Sequence, residues 1–180
     1  MIADSYSDIL MASSDGRVAK FSSELIKPSG RSSQGVLGMK IKDDAELISI
    51  STTYEGNYLC SIDDAGKGKK TKIEEFDRFL TRNGETRRIN SRTMTGVKAY
   101  KITKHSGKMV ACVIADESEE IVLMTNKGHS NRVRVSQIDV KSRNTTGTIL
   151  MKLTEKNEKL VYCAKRKYIE ESSEASQEEN

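Results

Sequence analysis

Short apolar runs and polar turns alternate along residues 7–165, and they recur in the same order three times. Each unit opens with an apolar run: Ile9-Leu10-Met11, then Tyr58-Leu59-Cys60-Ser61-Ile62, then Ile121-Val122-Leu123-Met124. A glycine turn follows at Gly16, Gly66 or Gly128, and then a strand rich in basic residues: Arg17 to Phe21, Lys69 to Ile73, Arg132 to Val135. Next come a short capped segment, a twelve-residue phrase and a fourth run at Glu46 to Ile50, Met109 to Ile114 and Lys159 to Ala164. Runs this short, bounded by turn residues, read as strands. Four per unit and three units predict twelve strands in an all-β, propeller-like array of four-stranded blades. The repeats span about residues 7–52, 56–114 and 119–165, within one array over 1–167.

The twelve-residue phrase is the sharpest signal. It occupies residues 30–41, 91–102 and 142–153, with its central glycines Gly35, Gly96 and Gly147 spaced 61 and 51 residues apart. An Arg stands four residues before each glycine (Arg31, Arg92, Arg143), and a Lys five residues after it (Lys40, Lys101, Lys152). Strand alternation assigns positions two, four and six after the glycine to a core-facing side: Leu37, Met39, Ile41; Lys98, Tyr100, Ile102; Ile149, Met151, Leu153. Apart from Lys98 that side is apolar. The Lys at position five then faces outward, and its recurrence predicts a basic band. The second repeat carries an insertion around Asp77 to Asn90 that reads equally as a long hairpin or as a short helix and loop.

Charge sharpens this picture. All 30 Lys and Arg, but only 21 of the 26 Asp and Glu, lie in residues 1–167, a net of +9. A body this basic suits a polyanionic partner. Residues 168–180 hold five Glu and no Lys or Arg, which predicts a disordered acidic tail. The three Cys are widely spaced and set in apolar runs, which argues for buried thiols over a disulfide framework or a metal site. No phosphate-cradling loop, nucleophile elbow or paired catalytic carboxylates stand out, so neither catalytic residues nor a cofactor are expected. No apolar stretch approaches a membrane span, and Met1 to Asp4 do not begin a signal peptide. The expected setting is cytoplasmic and nucleoid-associated, or its organellar equivalent, with no membrane partner.

The third repeat, with Glu120-Ile121-Val122-Leu123-Met124-Thr125-Asn126-Lys127-Gly128, Val133 to Ile138 and Ser142-Arg143-Asn144-Thr145-Thr146-Gly147, resembles the C-terminal domain of DNA gyrase A or its topoisomerase IV counterpart. The resemblance covers residues 7–165. It implies a β-pinwheel, a propeller variant whose blades exchange strands, with DNA bent around a basic rim. It also implies a parent ATP-dependent type II topoisomerase, with cleavage and ATPase subunits as partners. The pattern departs from the family at its hallmark box of Gln, paired Arg, paired Gly, Lys and Gly, whose nearest match is Gly30 to Gly35. Family members also show five or six blades where three are counted here.

Duplex DNA binding rests on phosphate neutralisation and counterion release. Arg31, Arg92 and Arg143, each beside Ser or Thr hydroxyls and near a glycine, can offer a guanidinium, a hydroxyl and backbone N–H groups to a phosphate. Lys40, Lys101 and Lys152 add a second cation per blade, and Lys69, Lys70, Lys72, Arg132 and Arg134 complete the candidate set. No recognition helix is legible, so binding is expected to be independent of sequence. The competing class is a propeller-type protein-interaction module with an incidental basic rim.

Overall fold

The computed structural model describes residues 7–42, 44–104 and 106–167; the expected acidic tail, 168–180, lies outside the described residues. The all-β expectation holds. Among the described residues there are thirteen strands and four one-turn 3-10 segments. β1 (Asp8–Ser13) and β2 (Arg17–Ser22) form a hairpin, and β3 (Leu47–Thr52) pairs with the other side of β1. The second unit repeats this with β4 (Tyr58–Asp63), β5 (Lys67–Lys72) and, after the insertion and the second phrase, β9 (Met109–Ala115). The third has β10 (Glu119–Thr125), β11 (Ser130–Arg134) and β13 (Leu160–Lys167). All three hairpins turn at a left-handed glycine, with φ of 81°, 79° and 85° at Gly16, Gly66 and Gly128, a conformation costly for any residue with a Cβ.

Strand exchange appears in the edge strands. The insertion contributes β6 (Phe79–Arg82) and β7 (Glu85–Arg88), and the second and third phrases contribute only β8 (Val97–Lys98) and β12 (Thr148–Ile149). β8, from the second repeat, completes the first sheet by pairing with β2, with Val18 opposite Val97. β12, from the third repeat, completes the second sheet by pairing with β5, with Gly68 opposite Thr148. The second and third phrases therefore each belong to the blade before their own. Among the described residues the third sheet has three strands in the order β11-β10-β13.

Two expectations need correction. Among the described residues the blades hold eleven strands, not twelve, because there the first phrase makes only an isolated bridge between Met39 and Met94. The phrases also do not alternate faces. Position two is exposed in all three copies (Leu37, Lys98, Ile149), and only position four is buried throughout, as Met39, Tyr100 and Met151. A bulge explains this. The N–H groups of Ala99 and Tyr100 both donate to Gly16 O, and those of Leu150 and Met151 both donate to Gly66 O. Two successive residues facing one acceptor break the period of two.

The insertion resolves as the hairpin β6–β7. It turns at Asn83-Gly84, both at positive φ, the backbone that a two-residue hairpin loop requires. Its base is fixed by Arg88, which bonds Asp8 and lies 2.7 Å from Asp77 Oδ1.

Two apolar cores lie between successive sheets. Leu10, Val18, Leu59, Phe76, Tyr100 and Ile114 fill the first; Cys60, Ile62, Ile121, Leu123, Val135 and Leu160 fill the second. Strand β4 serves both, sending Leu59 to one side and Cys60 and Ile62 to the other, so the middle blade is covered on both faces. Cys60 and Cys112 are free, buried thiols whose pKa burial pushes up to about 12. Cys163 is only half-buried.

Candidate nucleic-acid interface

The three phrases lie end to end. The Lys40 N–H donates to Met94 O, and the Lys101 N–H donates to Thr145 O. The position-five Lys of one phrase is thereby tied to the Arg-bearing turn of the next. Lys40 adjoins the turn of Arg92, and Lys101 adjoins the turn of Arg143. Both turns close identically, through Met94 N–H to Arg92 O and Thr145 N–H to Arg143 O. Arg31 begins the series and Lys152 ends it. Arg31, Lys40, Lys101 and Lys152 are exposed, while Arg92 and Arg143 are half-exposed. Exposed and half-exposed basic residues from different units are thus brought next to one another along the chain at both blade junctions.

A groove of about 470 Å³ opens beside the third turn, lined by Glu75, Val97, Lys98, Ser142, Arg143 and Asn144. It places Lys98 and Arg143 on one concave surface. Lys98, the exception on the expected apolar side, is exposed there, and its charge at that position was the available signal for it.

Lys69 and Lys70 do not join this surface, which corrects the reading of their basic run. They are 0% and 1% exposed. Lys69 Nζ donates to Ser142 O (2.6 Å), to Arg143 O and to Thr145 Oγ1 (3.2 Å). It lies 5.7 Å from the Tyr100 ring centroid, and burial brings its pKa down to about 8. Its amine caps the turn from which Arg143 projects. Lys70 Nζ instead pairs with Glu117 (2.6 Å) and donates to Val135 O (2.9 Å), 4.9 Å from the Tyr58 ring. Lys20, at the equivalent position of the first repeat, donates to Ile73 O at 3.4 Å and sits 3.0 Å from Asp77. Ile73 and Val135 are equivalent too, so these two lysines are struts from one blade to the 3-10 segment of the next. A buried ammonium persists only with such partners.

Of the remaining candidates, Lys72 is exposed, 3.8 Å from Glu74, and Arg132 and Arg134 are exposed on β11. Tyr100 ties the band to the scaffold. Its hydroxyl donates to Asp63 Oδ2 at 3.0 Å and accepts from the Gly147 N–H at 3.0 Å, joining the second blade to the second and third phrases. Desolvation raises the pKa of both Tyr100 and Asp63. Among the described residues no group of His, Cys, Asp and Glu is arranged to hold a metal, and no helix is long and apolar enough to cross a membrane.

The sequence matches the family described as DNA gyrase C-terminal domain, beta-propeller, over residues 7–53, 64–85 and 119–165. It is 32% identical over 157 residues to the DNA gyrase A protein of Buchnera aphidicola subsp. Baizongia pistaciae, covering 87% of this chain and 17% of that protein. It is 31% identical over 152 residues to the DNA gyrase A protein of Pseudomonas aeruginosa, covering 84% and 15%. The chain thus spans about a sixth of the length of these relatives. Among solved structures it superposes on a DNA gyrase A C-terminal domain with a TM-score of 0.75 at 24% identity, over 91% of this chain and 52% of the other. A crystal structure of the C-terminal domain of DNA topoisomerase IV gives a TM-score of 0.79 at 20% identity, over 93% and 49%. At these identities the two structures establish the fold alone.

Proposed function

Because the chain belongs to the DNA gyrase C-terminal domain, beta-propeller family, we propose that it binds duplex DNA without sequence specificity, as a module of a type II topoisomerase. The observation that carries this reading is the end-to-end arrangement of the phrases, which joins Lys40 to the Arg92 turn and Lys101 to the Arg143 turn. Arg31, Arg92, Arg143, Lys40, Lys101, Lys152 and Lys98 are the proposed phosphate contacts, with Lys72, Arg132 and Arg134 flanking them. Phosphate contacts of this kind fix orientation and carry no base readout. Duplex that follows the band across both junctions must bend, which for a 20–30 bp site costs about 1–6 kcal/mol; contacts on successive blades offset that cost. In the assembled enzyme the cleavage and ATPase subunits are its proposed partners, in the cytoplasm or an organellar equivalent.

The test is duplex affinity across a salt series, with a fragment too short to bend and one long enough to follow the band. Log affinity should fall against log salt with a slope near −0.9 per phosphate contacted, and the longer fragment should bind more tightly. A folded Arg31→Ala, Arg92→Ala, Arg143→Ala triple variant should bind more weakly, with a shallower slope. Failure of the wild-type chain to bind duplex at low salt overturns the proposal.

A further inference from the structure

The β6–β7 ribbon of the second repeat covers neither core. Every residue from Phe79 to Arg88 is exposed, and neither Phe79 nor Leu80, at 61% and 42% exposure, belongs to an apolar cluster. A two-stranded hairpin alone is marginal in water, yet this one is tied at several points. Asn83-Gly84 supplies the tight turn, and Thr81 and Thr86 share a 2.8 Å hydrogen bond across the strands. At the base the Ile89 N–H donates to Arg78 O at 2.6 Å, and Asn90 Oδ1 accepts from the Ser22 N–H at 2.7 Å. Arg88 is held by Asp8 and Asp77, which also flank Lys20. The ribbon is fixed in direction and left bare.

What it presents is charge. Residues 77–90 hold four Arg against Asp77 and Glu85. Arg88 and Asp77 satisfy each other at the base, while Arg82 and Arg87, both exposed, make no ion pair among the described residues. Leu80 stands opposite Arg87, and Arg82 opposite Glu85. Strand alternation therefore puts these four on one face, and Phe79, Thr81, Thr86 and Arg88 on the other. Arg88 turns its own face toward the first blade, which leaves Arg82 and Arg87 on the outward one. Two residues beyond Asn90 stands Arg92, whose turn accepts the Lys40 N–H at Met94 O. The ribbon thus springs from the midst of the proposed phosphate contacts.

We propose that this ribbon enters the major groove of duplex DNA bound along the phrases, with Arg82 and Arg87 donating to base edges. The inference rests on the DNA-binding reading above and adds a groove contact to its phosphate contacts. Dimensions select the groove. Two strands about 4.8 Å apart, with side chains on both faces, fit a groove about 12 Å wide and are excluded from one of about 6 Å. Four residues in each strand reach roughly 13 Å, enough for a groove about 8.5 Å deep. Every base pair presents a purine N7 acceptor on that floor, so the guanidinium donors find a partner at any sequence. The unpaired charge of Arg82 and Arg87 favours a polyanion as the occupant, and continuity with the Arg92 turn makes that polyanion the duplex itself.

Dimethyl sulfate methylates guanine N7 in the major groove and adenine N3 in the minor groove, so one reaction reads both. The 180-residue chain and its Arg82→Ala, Arg87→Ala double variant are compared on a duplex long enough to follow the phrases, with circular dichroism to check folding. In the wild-type complex guanine N7 should be protected and adenine N3 should not. The double variant should still bind, about tenfold more weakly, and lose the N7 protection. Arg143→Ala, at saturating protein, should keep it. A wild-type complex that forms without N7 protection overturns the proposal and leaves DNA binding standing; that is the result expected if the ribbon serves an acidic protein instead. N7 protection that survives in the double variant overturns it too, as does protection of adenine N3. A wild type that binds no duplex overturns the DNA-binding reading, and this inference with it.

Discussion

Replacing Tyr100 by Phe isolates the polar bridge under the basic band. The ring stays, with its 2% exposure and its place in the first core, so apolar burial is nearly conserved. What is lost is one hydrogen bond to the buried Asp63 carboxylate and one from the Gly147 N–H. The first is charge-assisted, worth about 1.5–3 kcal/mol, and the second about 0.5–1.5 kcal/mol, so the variant should lose roughly 2–4 kcal/mol of stability. Asp63 Oδ1 keeps its bonds from the N–H groups of Ala65 and Lys67, at 3.1 and 2.8 Å, so the damage is confined to Oδ2 and to Gly147. Urea unfolding followed by far-ultraviolet circular dichroism suits a chain without Trp. The pH dependence adds a signature. Burial raises the Asp63 pKa above 3.8 in the folded state, and the Tyr100 hydrogen bond holds that rise in check. The folded state therefore takes up this proton before the unfolded state does, and stability falls as pH rises from 3.8 through the folded pKa. Without the hydroxyl that window widens upward, so the penalty in Tyr100→Phe should shrink as pH is lowered. A loss below about 0.5 kcal/mol, or a penalty independent of pH, would refute the bridge as an energetic link.

Three further outcomes follow from the same geometry. Gly147→Ala forces a Cβ to within 2.5 Å of the Gly68 backbone and should lower stability by about 1–3 kcal/mol, as overpacking does; denaturation shows this against Gly84→Ala, which has open space around it and tests only its positive φ. Lys69→Met and Arg143→Ala should both weaken duplex binding, but only the second should make the log–log salt slope shallower, by about 0.9, because Lys69 holds the turn and does not touch phosphate. His129 and Glu158 form a 2.7 Å pair that raises the histidine pKa and holds the carboxyl at about 2. The histidine contribution to stability is complete below 6.5 and lost as pH rises through its folded pKa, and the Glu158 contribution is present above 4.5 and lost as pH falls through about 2; the His129 pKa read by NMR titration should fall toward 6.5 in Glu158→Gln, with Glu155 keeping it above that value.

Much of the architecture was legible because glycine turns and apolar runs are local signals. Gly16, Gly66 and Gly128 mark the hairpins, and Asn83-Gly84 marks the insertion hairpin, although the surrounding arginines left a helix equally open. The exchange of strands is another matter. The pairing of Val97 with Val18 joins residues from different repeats, and nothing near either one says which neighbour it will meet; only the family resemblance implied it. The face of the phrases was misread because the bulge at Ala99-Tyr100 interrupts an alternation that composition alone cannot reveal. Lys69 and Lys70 misled for a physical reason. An ammonium usually marks a solvated face, but here backbone carbonyls from the next repeat and a single glutamate replace the water. The recurring Arg and Lys were visible one by one; their junction at Met94 and Thr145 was a property of the fold.

Strand exchange also sets a schedule for a chain made from its N-terminus. The hairpin partner β2 ends at Ser22, but the strand that completes its sheet begins at Val97. At synthesis rates of about 5–20 residues per second, that interval is roughly 4–15 s. The second sheet waits again, from Lys72 to Thr148. The first two blades are therefore born with a bare edge, and their completion trails their own translation by about one repeat. During that delay the incomplete edge is open to any extended segment nearby, including the same edge on a neighbouring nascent chain. The lysines along β5 oppose pairing with such a like-charged edge until the proper strand arrives.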